Sequence, residues 1–134
     1  MQARREHSAE ELIRKLTAKG FDAPDVTRVV AELKQGGFQS DYRFADSFVY
    51  NRVQRGYGPV RIRRDLRERG VADEVIDAVL SARDEDWVAR LGEVHAKKFG
   101  NNNPTDYKEQ MRRARFLQYR GFSNDQIRRL LNQD

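Results

Sequence analysis

A spacing pattern that occurs three times along the chain constrains its fold more than any other feature of the sequence. Each copy starts at a leucine, has a glycine and an apolar residue four and five positions later, and has further apolar residues at positions ten, thirteen and fourteen. The copies are Leu16, Gly20, Phe21, Val26, Val29 and Val30; Leu66, Gly70, Val71, Ile76, Val79 and Leu80; and Leu117, Gly121, Phe122, Ile127, Leu130 and Leu131. Because the starting leucines lie 50 and 51 residues apart, the pattern predicts a tandem repeat protein.

Each copy is typical of two helices joined by a tight turn. The glycine ends the first helix, the apolar residue after it anchors the turn, and the later apolar positions give the second helix one buried face. Residues that favour a helix N-cap stand where the second helix is expected to begin, and they are Asp22, Asp73, and Ser123 or Asn124.

A further helix precedes the second and third copies. Ser40 or Asp41 is predicted to cap one that runs to about Arg55, and the acidic run at 84–86 opens another from Trp87 to about Lys98. In the first copy only residues 1–6 precede the predicted Ser8 cap, so the extra helix there is incomplete. We therefore predict an all-α protein, an elongated and curved array of tandem three-helix repeats whose first repeat is incomplete.

The predicted boundaries place repeat 1 at 1–38 with two helices, a basic repeat 2 at 39–82 with three, and repeat 3 at 83–134 with three. Gly36-Gly37 and the run 101–104 are the predicted linkers. Composition agrees with this architecture, because 38% hydrophobic and 35% charged residues, with a mean hydropathy of -0.90, favour thin amphipathic layers over one thick core.

The chain offers little for enzymatic chemistry. It has no cysteine, and its two histidines, His7 and His95, have no second ligand at metal-binding spacing, so no metal site is predicted. It also lacks a GxxxxGK[ST] loop, and we expect no enzyme activity and no cofactor. Neither a signal peptide nor a stretch of about 20 apolar residues is visible, so we expect a cytoplasmic protein that does not contact membranes.

The stretch 44–70 is basic and is predicted to bend in its middle. Gly56 is placed to end one helix in a left-handed conformation, and Pro59 to take the first position of the next. At 100° per residue, the helix from Pro59 to Arg69 turns one group of side chains away from its apolar stripe. That group is Val60, Arg63, Arg64 and Arg67.

Charge is patterned along the chain. Residues 41–70 carry eight basic and four acidic side chains, residues 108–133 carry seven and two, and the acidic segment 71–107 lies between them. An apolar Val60 among arginines favours a protein interface, where arginine is enriched. Phosphate contact with DNA remains the alternative, although the second helix of the corner lacks the Asn and Gln that commonly read adenine.

Three segments together resemble the RecX regulatory family. They are Arg4-Arg5-Glu6-His7-Ser8, the sequence RFADSFVYNRVQRGYGPVRIRRDL at 43–66, and RFLQYRGF at 115–122. The resemblance covers essentially the whole chain, and the family is built of tandem three-helix repeats. Family members usually carry a further helix before the first of these segments, where three residues stand here.

The resemblance implies a non-enzymatic modulator of the recombinase RecA. Such a protein lodges in the groove of the RecA filament on single-stranded DNA. We expect a monomer, which suits insertion into a groove, and leave a weak direct contact with DNA open. The modulator suppresses ATP hydrolysis, strand exchange and the stimulation of LexA cleavage, and so restrains recombination, DNA repair and the SOS response. The alternative is a sequence-independent DNA-binding helical module. The predicted partner contacts are Arg52, Arg55, Arg61, Arg63, Arg64, Arg67, Arg112 and Arg113, of which motif membership best supports Arg52, Arg61 and Arg63.

Overall fold

The structure is a computed structural model that describes residues 8–20, 23–35 and 40–131. All regular secondary structure in these ranges is helical, as predicted. The helices are α1 (Ala9–Ala18), α2 (Ala23–Gln35), α3 (Asp41–Gln54), α4 (Pro59–Glu68), α5 (Asp73–Arg83), α6 (Trp87–Phe99), α7 (Tyr107–Arg120) and α8 (Asn124–Leu131).

The predicted helix ends agree closely with the observed ones. The ends of α3, α4 and α6 fall within about one residue of the prediction, which is the usual uncertainty of a helix boundary. The run 101–104 connects α6 to α7 without helix, as expected of a linker. The predicted cap Asp22, the anchor Phe21, the linker Gly36-Gly37 and His7 lie outside the described residues.

Side-chain caps fix the starts of several helices. Ser8 forms a capping box with Glu11, since its hydroxyl accepts the Glu11 N–H at 3.1 Å and its own N–H donates to the Glu11 carboxylate. Ser40 accepts from the N–H of Arg43, and Ser123 from that of Gln126, which decides both open alternatives in favour of serine. The sequence signals for these helix starts are confirmed.

Asp73 was predicted as a cap, and that prediction is wrong. Asp73 is the first residue of α5, while the carbonyl oxygen of Ala72 accepts the N–H of Ile76 at 3.1 Å. The Asp73 carboxylate instead pairs with Arg67 Nε at 2.7 Å. The spacing of the repeat placed the helix start correctly, but the nearby guanidinium competes for the carboxylate that could have capped it.

The chain folds as two compact units. Unit 1 comprises Met1–Val49 and Asp65–Arg83, and unit 2 comprises Tyr50–Arg64 and Asp84–Asp134. The buried apolar residues of unit 1 are Val26, Val30, Phe44, Ala45, Phe48, Val49, Leu66, Val71, Ile76 and Val79. Those of unit 2 are Val53, Ile62, Leu91, Leu117, Phe122 and Ile127.

Polar contacts between distant parts of the sequence hold unit 1 together. The buried Ser8 hydroxyl donates to the carbonyl oxygen of Arg69 at 2.8 Å, and Arg69 lies over the Phe48 ring at 4.7 Å. Arg83 Nε pairs with the Asp46 carboxylate at 2.8 Å. Ser8 therefore caps α1 and also links the start of α1 to the chain at the end of α4.

The described residues offer neither a cluster of metal ligands nor a helix that could span a membrane. No group of three or more histidine, aspartate or glutamate residues there is arranged to hold a metal ion. Within the same ranges, no helix is both long enough and apolar enough to cross a membrane.

Candidate partner-binding surface

The corner at 56–59 lies directly against the end of α7 in unit 2. Gly56 has a φ of +85°, as predicted for a helix terminator, and Pro59 is the first residue of α4. The N–H of Gly58 donates to the carbonyl oxygen of Arg120 at 2.7 Å, and the N–H of Val60 donates to that of Gly121 at 2.9 Å. These donors are used inside the unit, so the corner is part of the architecture and does not form a phosphate cradle.

Close backbone approach explains why a glycine occupies position 58. A Cβ atom at Gly58 would lie 2.5 Å from the carbonyl oxygen of Gly121, well inside any ordinary contact distance. Gly121 itself has a φ of +101°, which ends α7 in the left-handed region. Gly121, the glycine of the third repeat copy, and Gly58, in the corner before α4, are therefore in direct contact.

Cationic and aromatic side chains alternate along this contact. We call the series Lys98, Phe116, Arg120, Tyr57, Arg61 and Tyr119 the cation–π ladder, because each member lies over or under the next. The separations between cation and ring centroid run from 4.5 Å for Arg61 and Tyr57 to 5.4 Å for Lys98 and Phe116. Arg61 also donates to the carbonyl oxygen of Tyr119 at 3.2 Å. Such stacking orients each guanidinium and fixes the corner to α7.

The arginines predicted as partner contacts differ in exposure. Arg55 and Arg64 are exposed, whereas Arg52, Arg61 and Arg63 are half-buried. Val60 is 55% exposed, which is unusual for a valine and agrees with its predicted position away from the apolar stripe. In the part of α4 that belongs to unit 2, the exposed side chains are thus Val60 and, one turn later, Arg64.

Arg67 belongs to unit 1 and is exposed, but it is paired. Its Nε lies 2.7 Å from the Asp73 carboxylate, and both side chains are more than half exposed. This partner comes from α5, so the residues of α4 alone do not reveal it. An exposed pair of this kind is worth roughly 0–1 kcal/mol, so a partner's carboxylate or phosphate could displace it.

Arg112 and Arg113 are neighbours in sequence with different environments. Arg112 is exposed and donates through Nε and Nη2 to the two carboxylate oxygens of Glu109, each at 2.8 Å. Arg113 is buried, and its guanidinium contacts Glu109, the carbonyl oxygen of Asn102 and the His95 ring. Arg113 is therefore a packing residue in unit 2 and not part of an accessible surface.

The carboxyl and imidazole of this cluster are electrostatically perturbed. Hydrogen bonds from Arg112 and Arg113 lower the pKa of Glu109 to about 2. Burial, and then the charge of Arg113, lower the pKa of His95. Because a guanidinium can only donate, the His95 Nε2 that lies 3.2 Å from Arg113 Nη1 must be the acceptor nitrogen of a neutral ring.

Sequence reasoning missed the ladder residues Tyr57, Tyr119 and Arg120. Arg61 and Tyr119 are 58 positions apart, and Arg120 and Arg55 are 65 apart, so no local periodicity marks them as neighbours. The signal that could have pointed to this contact is Gly121, because a glycine allows another segment of backbone to approach closely.

The fold and this surface define an all-helical repeat protein with arginines exposed around a tightly packed corner. Family models described as the first, second and third three-helix domains of RecX match residues 3–33, 40–80 and 84–131. The chain belongs to the RecX family.

Individual relatives support this membership. The chain is 48% identical over 126 residues to the regulatory protein RecX of Halorhodospira halophila, covering 94% of this chain and 78% of the relative. It is 38% identical over 130 residues to the regulatory protein RecX of Legionella pneumophila, covering 97% and 87%.

Solved structures show the same fold. The chain superposes on a crystal structure of RecX from Lactobacillus salivarius with a TM-score of 0.76 and 20% identity, over 95% of this chain and 84% of that one. A second crystal structure, of a regulatory protein RecX, gives a TM-score of 0.79 and 19% identity over 96% and 64%. The fold is thus retained at low sequence identity.

Proposed function

We propose that this protein regulates RecA by binding in the groove of the RecA filament on single-stranded DNA. Binding there restrains ATP hydrolysis, strand exchange and the stimulation of LexA cleavage, without catalysis by the regulator itself. The observation that carries the proposal is the match of all three RecX domains along one chain. We further propose that it acts as a cytoplasmic monomer divided into repeats at 1–38, 39–82 and 83–134.

We propose α4 as the central contact element of unit 2. An exposed Val60 next to an exposed Arg64 combines apolar area with a planar charge, the combination that dominates protein interfaces. Arg55, exposed at the end of α3, adds a second accessible charge. Arg52, Arg61 and Arg63 are half-buried, and we propose that their exposed parts also belong to the contact surface.

The remaining predicted arginines contribute less to this proposal. Arg67 lies in unit 1 and Arg112 on α7, so neither belongs to the part of α4 in unit 2; both are exposed and pair with Asp73 and Glu109. Arg113 is left out because it is buried and bound within the unit.

The proposal is tested with the DNA-dependent ATPase of RecA at substoichiometric amounts of this protein. We expect inhibition by the wild type, and we expect Arg64→Glu to raise the half-inhibitory concentration about tenfold, which corresponds to ~1.4 kcal/mol. Lys15→Glu is the matched control, because Lys15 is an exposed cation on α1, a different helix. Far-UV circular dichroism checks that each variant is folded.

Two outcomes would count against this proposal in different ways. If the wild type leaves the ATPase rate unchanged, the protein does not regulate RecA in this manner. If the wild type inhibits and Arg64→Glu inhibits equally well, regulation stands but α4 is not its contact surface.

A direct DNA-binding module is the second candidate, because the net charge of +5 and the exposed arginines would also suit phosphates. Salt separates the two functions. A protein that makes six to ten phosphate contacts loses roughly a thousandfold or more in affinity between about 50 and 200 mM salt. We expect only weak binding to DNA without RecA, and tight, steeply salt-dependent binding would favour the DNA-binding module.

A further inference from the structure

A basic cleft opens beside the cation–π ladder in unit 2. Its volume is about 540 Å³, which is large enough for one or two amino-acid side chains. The end of α3, the C-terminal half of α6 and the last turns of α7 form its walls. The lining residues that matter here are Arg55, Lys97, Lys98, Arg120, Val94 and Phe116.

Carboxylates of the described residues neutralise one of the five cationic residues that line this cleft and leave four without an ion pair. Glu93 is the acidic residue in the lining, and it pairs with Arg90, which also pairs with Glu85. In the ranges 8–20, 23–35 and 40–131, no carboxylate forms an ion pair with any of the other four cationic lining residues. These are Arg55, Lys97, Lys98 and Arg120.

The helix dipole explains only part of this arrangement. Lys97 and Lys98 stand in the last turn of α6, where cations are favoured whatever the function. Arg55 and Arg120 come from other elements, and the main chain positions Arg120, whose Nη1 donates to the Arg55 carbonyl oxygen at 2.8 Å. Cations from three elements around one cavity indicate a site that accepts an anion.

The aromatic residue of the lining, Phe116, and the neighbouring Tyr57 of the cation–π ladder disfavour single-stranded nucleic acid as the occupant. Base stacking needs a free ring face. The Phe116 ring already has Arg120 at 5.2 Å, Lys98 at 5.4 Å and the Phe99 ring edge-on at 5.5 Å. The Tyr57 ring is likewise covered by Arg61 and Arg120. The apolar side chains of Val53 and Val94 instead suit the hydrocarbon part of a peptide.

We propose that the basic cleft binds an acidic peptide segment of a protein partner, with carboxylates held by Arg55, Lys97 and Lys98 and an apolar side chain against Val94 and Phe116. Charge complementarity favours this occupant, since four cations of the cleft form no ion pair with any carboxylate in the part of the chain that the structure describes. The inference does not require the partner to be RecA. Of the arginines proposed above for RecA contact, only Arg55 belongs to the cleft.

The test measures fluorescence polarisation with a short labelled peptide in which aspartate and valine alternate, and with the same peptide carrying asparagine for aspartate. We expect saturable binding of the acidic peptide, much weaker binding of the asparagine peptide, and weaker binding as salt rises. Lys97→Glu should reduce affinity about tenfold or more. Lys108→Glu, which reverses an exposed charge on α7 outside the cleft, should change it less than about threefold.

A loss of binding must be distinguished from a loss of folding. The Lys97 side chain makes no ion pair or aromatic contact within the described ranges, so Lys97→Gln removes its charge without removing a contact, and it should weaken binding by a few fold. Binding that fails to appear, that does not distinguish aspartate from asparagine, or that responds equally to Lys97→Glu and Lys108→Glu would overturn the proposal. Tighter binding of an oligothymidylate of equal charge, lost in Lys97→Glu, would assign the cleft to nucleic acid and would overturn it too. Inhibition of RecA is measured separately, so either proposal can fail alone.

Discussion

At the scale of single residues, similar arginines have different physical roles. Arg112 and Arg113 are adjacent, yet one is exposed and the other is enclosed by Glu109, Asn102 and His95. Desolvation is costly for a guanidinium, so a buried arginine persists only where hydrogen bonds replace its water. The charge pattern of the sequence cannot distinguish these roles, because it counts both residues equally.

The His95 contact predicts a pH dependence of stability. The folded protein keeps His95 neutral to a lower pH than the unfolded chain does, so the unfolded chain takes up more protons as the pH falls below about 6.5. Stability should therefore decline from that pH down to the lowered pKa of the folded state. His95→Gln, whose amide oxygen can still accept from Arg113, should remove this part of the decline.

Thermal unfolding between about pH 7.5 and pH 5 measures the effect. Glu109 does not interfere, because its contribution is present above the pKa of an ordinary glutamate and is lost only as the pH falls toward about 2. Parallel curves for the wild type and His95→Gln would show that His95 is not the titrating group.

At the scale of elements, the corner between α3 and α4 depends on contact with the end of α7. Local chemistry explains its shape, since Gly56 ends one helix and Pro59 begins the next. Its position is set by two backbone hydrogen bonds to Arg120 and Gly121. The corner therefore packs so closely against α7 that there is no room for a methyl group at position 58.

A pair of alanine substitutions tests this close packing. Gly58→Ala should lower the free energy of unfolding by about 1–3 kcal/mol, because the new Cβ would lie 2.5 Å from a backbone oxygen that no side-chain movement can relieve. Gly92→Ala is the matched control in the same unit. Its Cβ meets nothing within 4 Å inside helix α6, so it should raise stability by about 0.5–1 kcal/mol.

Urea unfolding followed by circular dichroism measures both changes. Equal effects of the two substitutions would show that the backbone approach at Gly58 does not limit stability. Gly58 would then not be required for the packing of the corner against α7.

At the scale of the whole molecule, the three repeat copies share spacing but not burial. The position ten residues after the starting leucine is buried in every copy, as Val26, Ile76 and Ile127. The position thirteen residues after it differs, since Val79 is fully buried whereas Val29 is 39% exposed. Equal spacing in sequence therefore does not give equal burial, because burial depends on the elements that pack around each copy.

The starting leucines of the three copies also differ in burial, and this difference predicts how much each contributes to stability. Leu66 in unit 1 and Leu117 in unit 2 are both 0% exposed, so replacing either by alanine should lower the free energy of unfolding by about 2–5 kcal/mol. Leu16 is only half-buried in α1, and Leu16→Ala should cost about 1 kcal/mol or less. Chemical denaturation compares the three, and a cost for Leu16→Ala equal to that of the others would contradict the burial order.

The sequence by itself determined the helical class, the repeat spacing, the helix start at Ser8, and the Gly56 and Pro59 corner. It narrowed two further helix caps to Ser40 or Asp41 and to Ser123 or Asn124, between which the structure decided. These features depend on side-chain chemistry within a few residues, where hydrogen bonds and backbone preference act locally. Only the tertiary structure decided that Asp73 binds Arg67, that Arg113 is buried, and that the cation–π ladder and the basic cleft exist. The ladder and the cleft join residues far apart in sequence, and the Asp73–Arg67 pair joins two different helices. The periodicity of one helix carries no information about which side chains meet between elements.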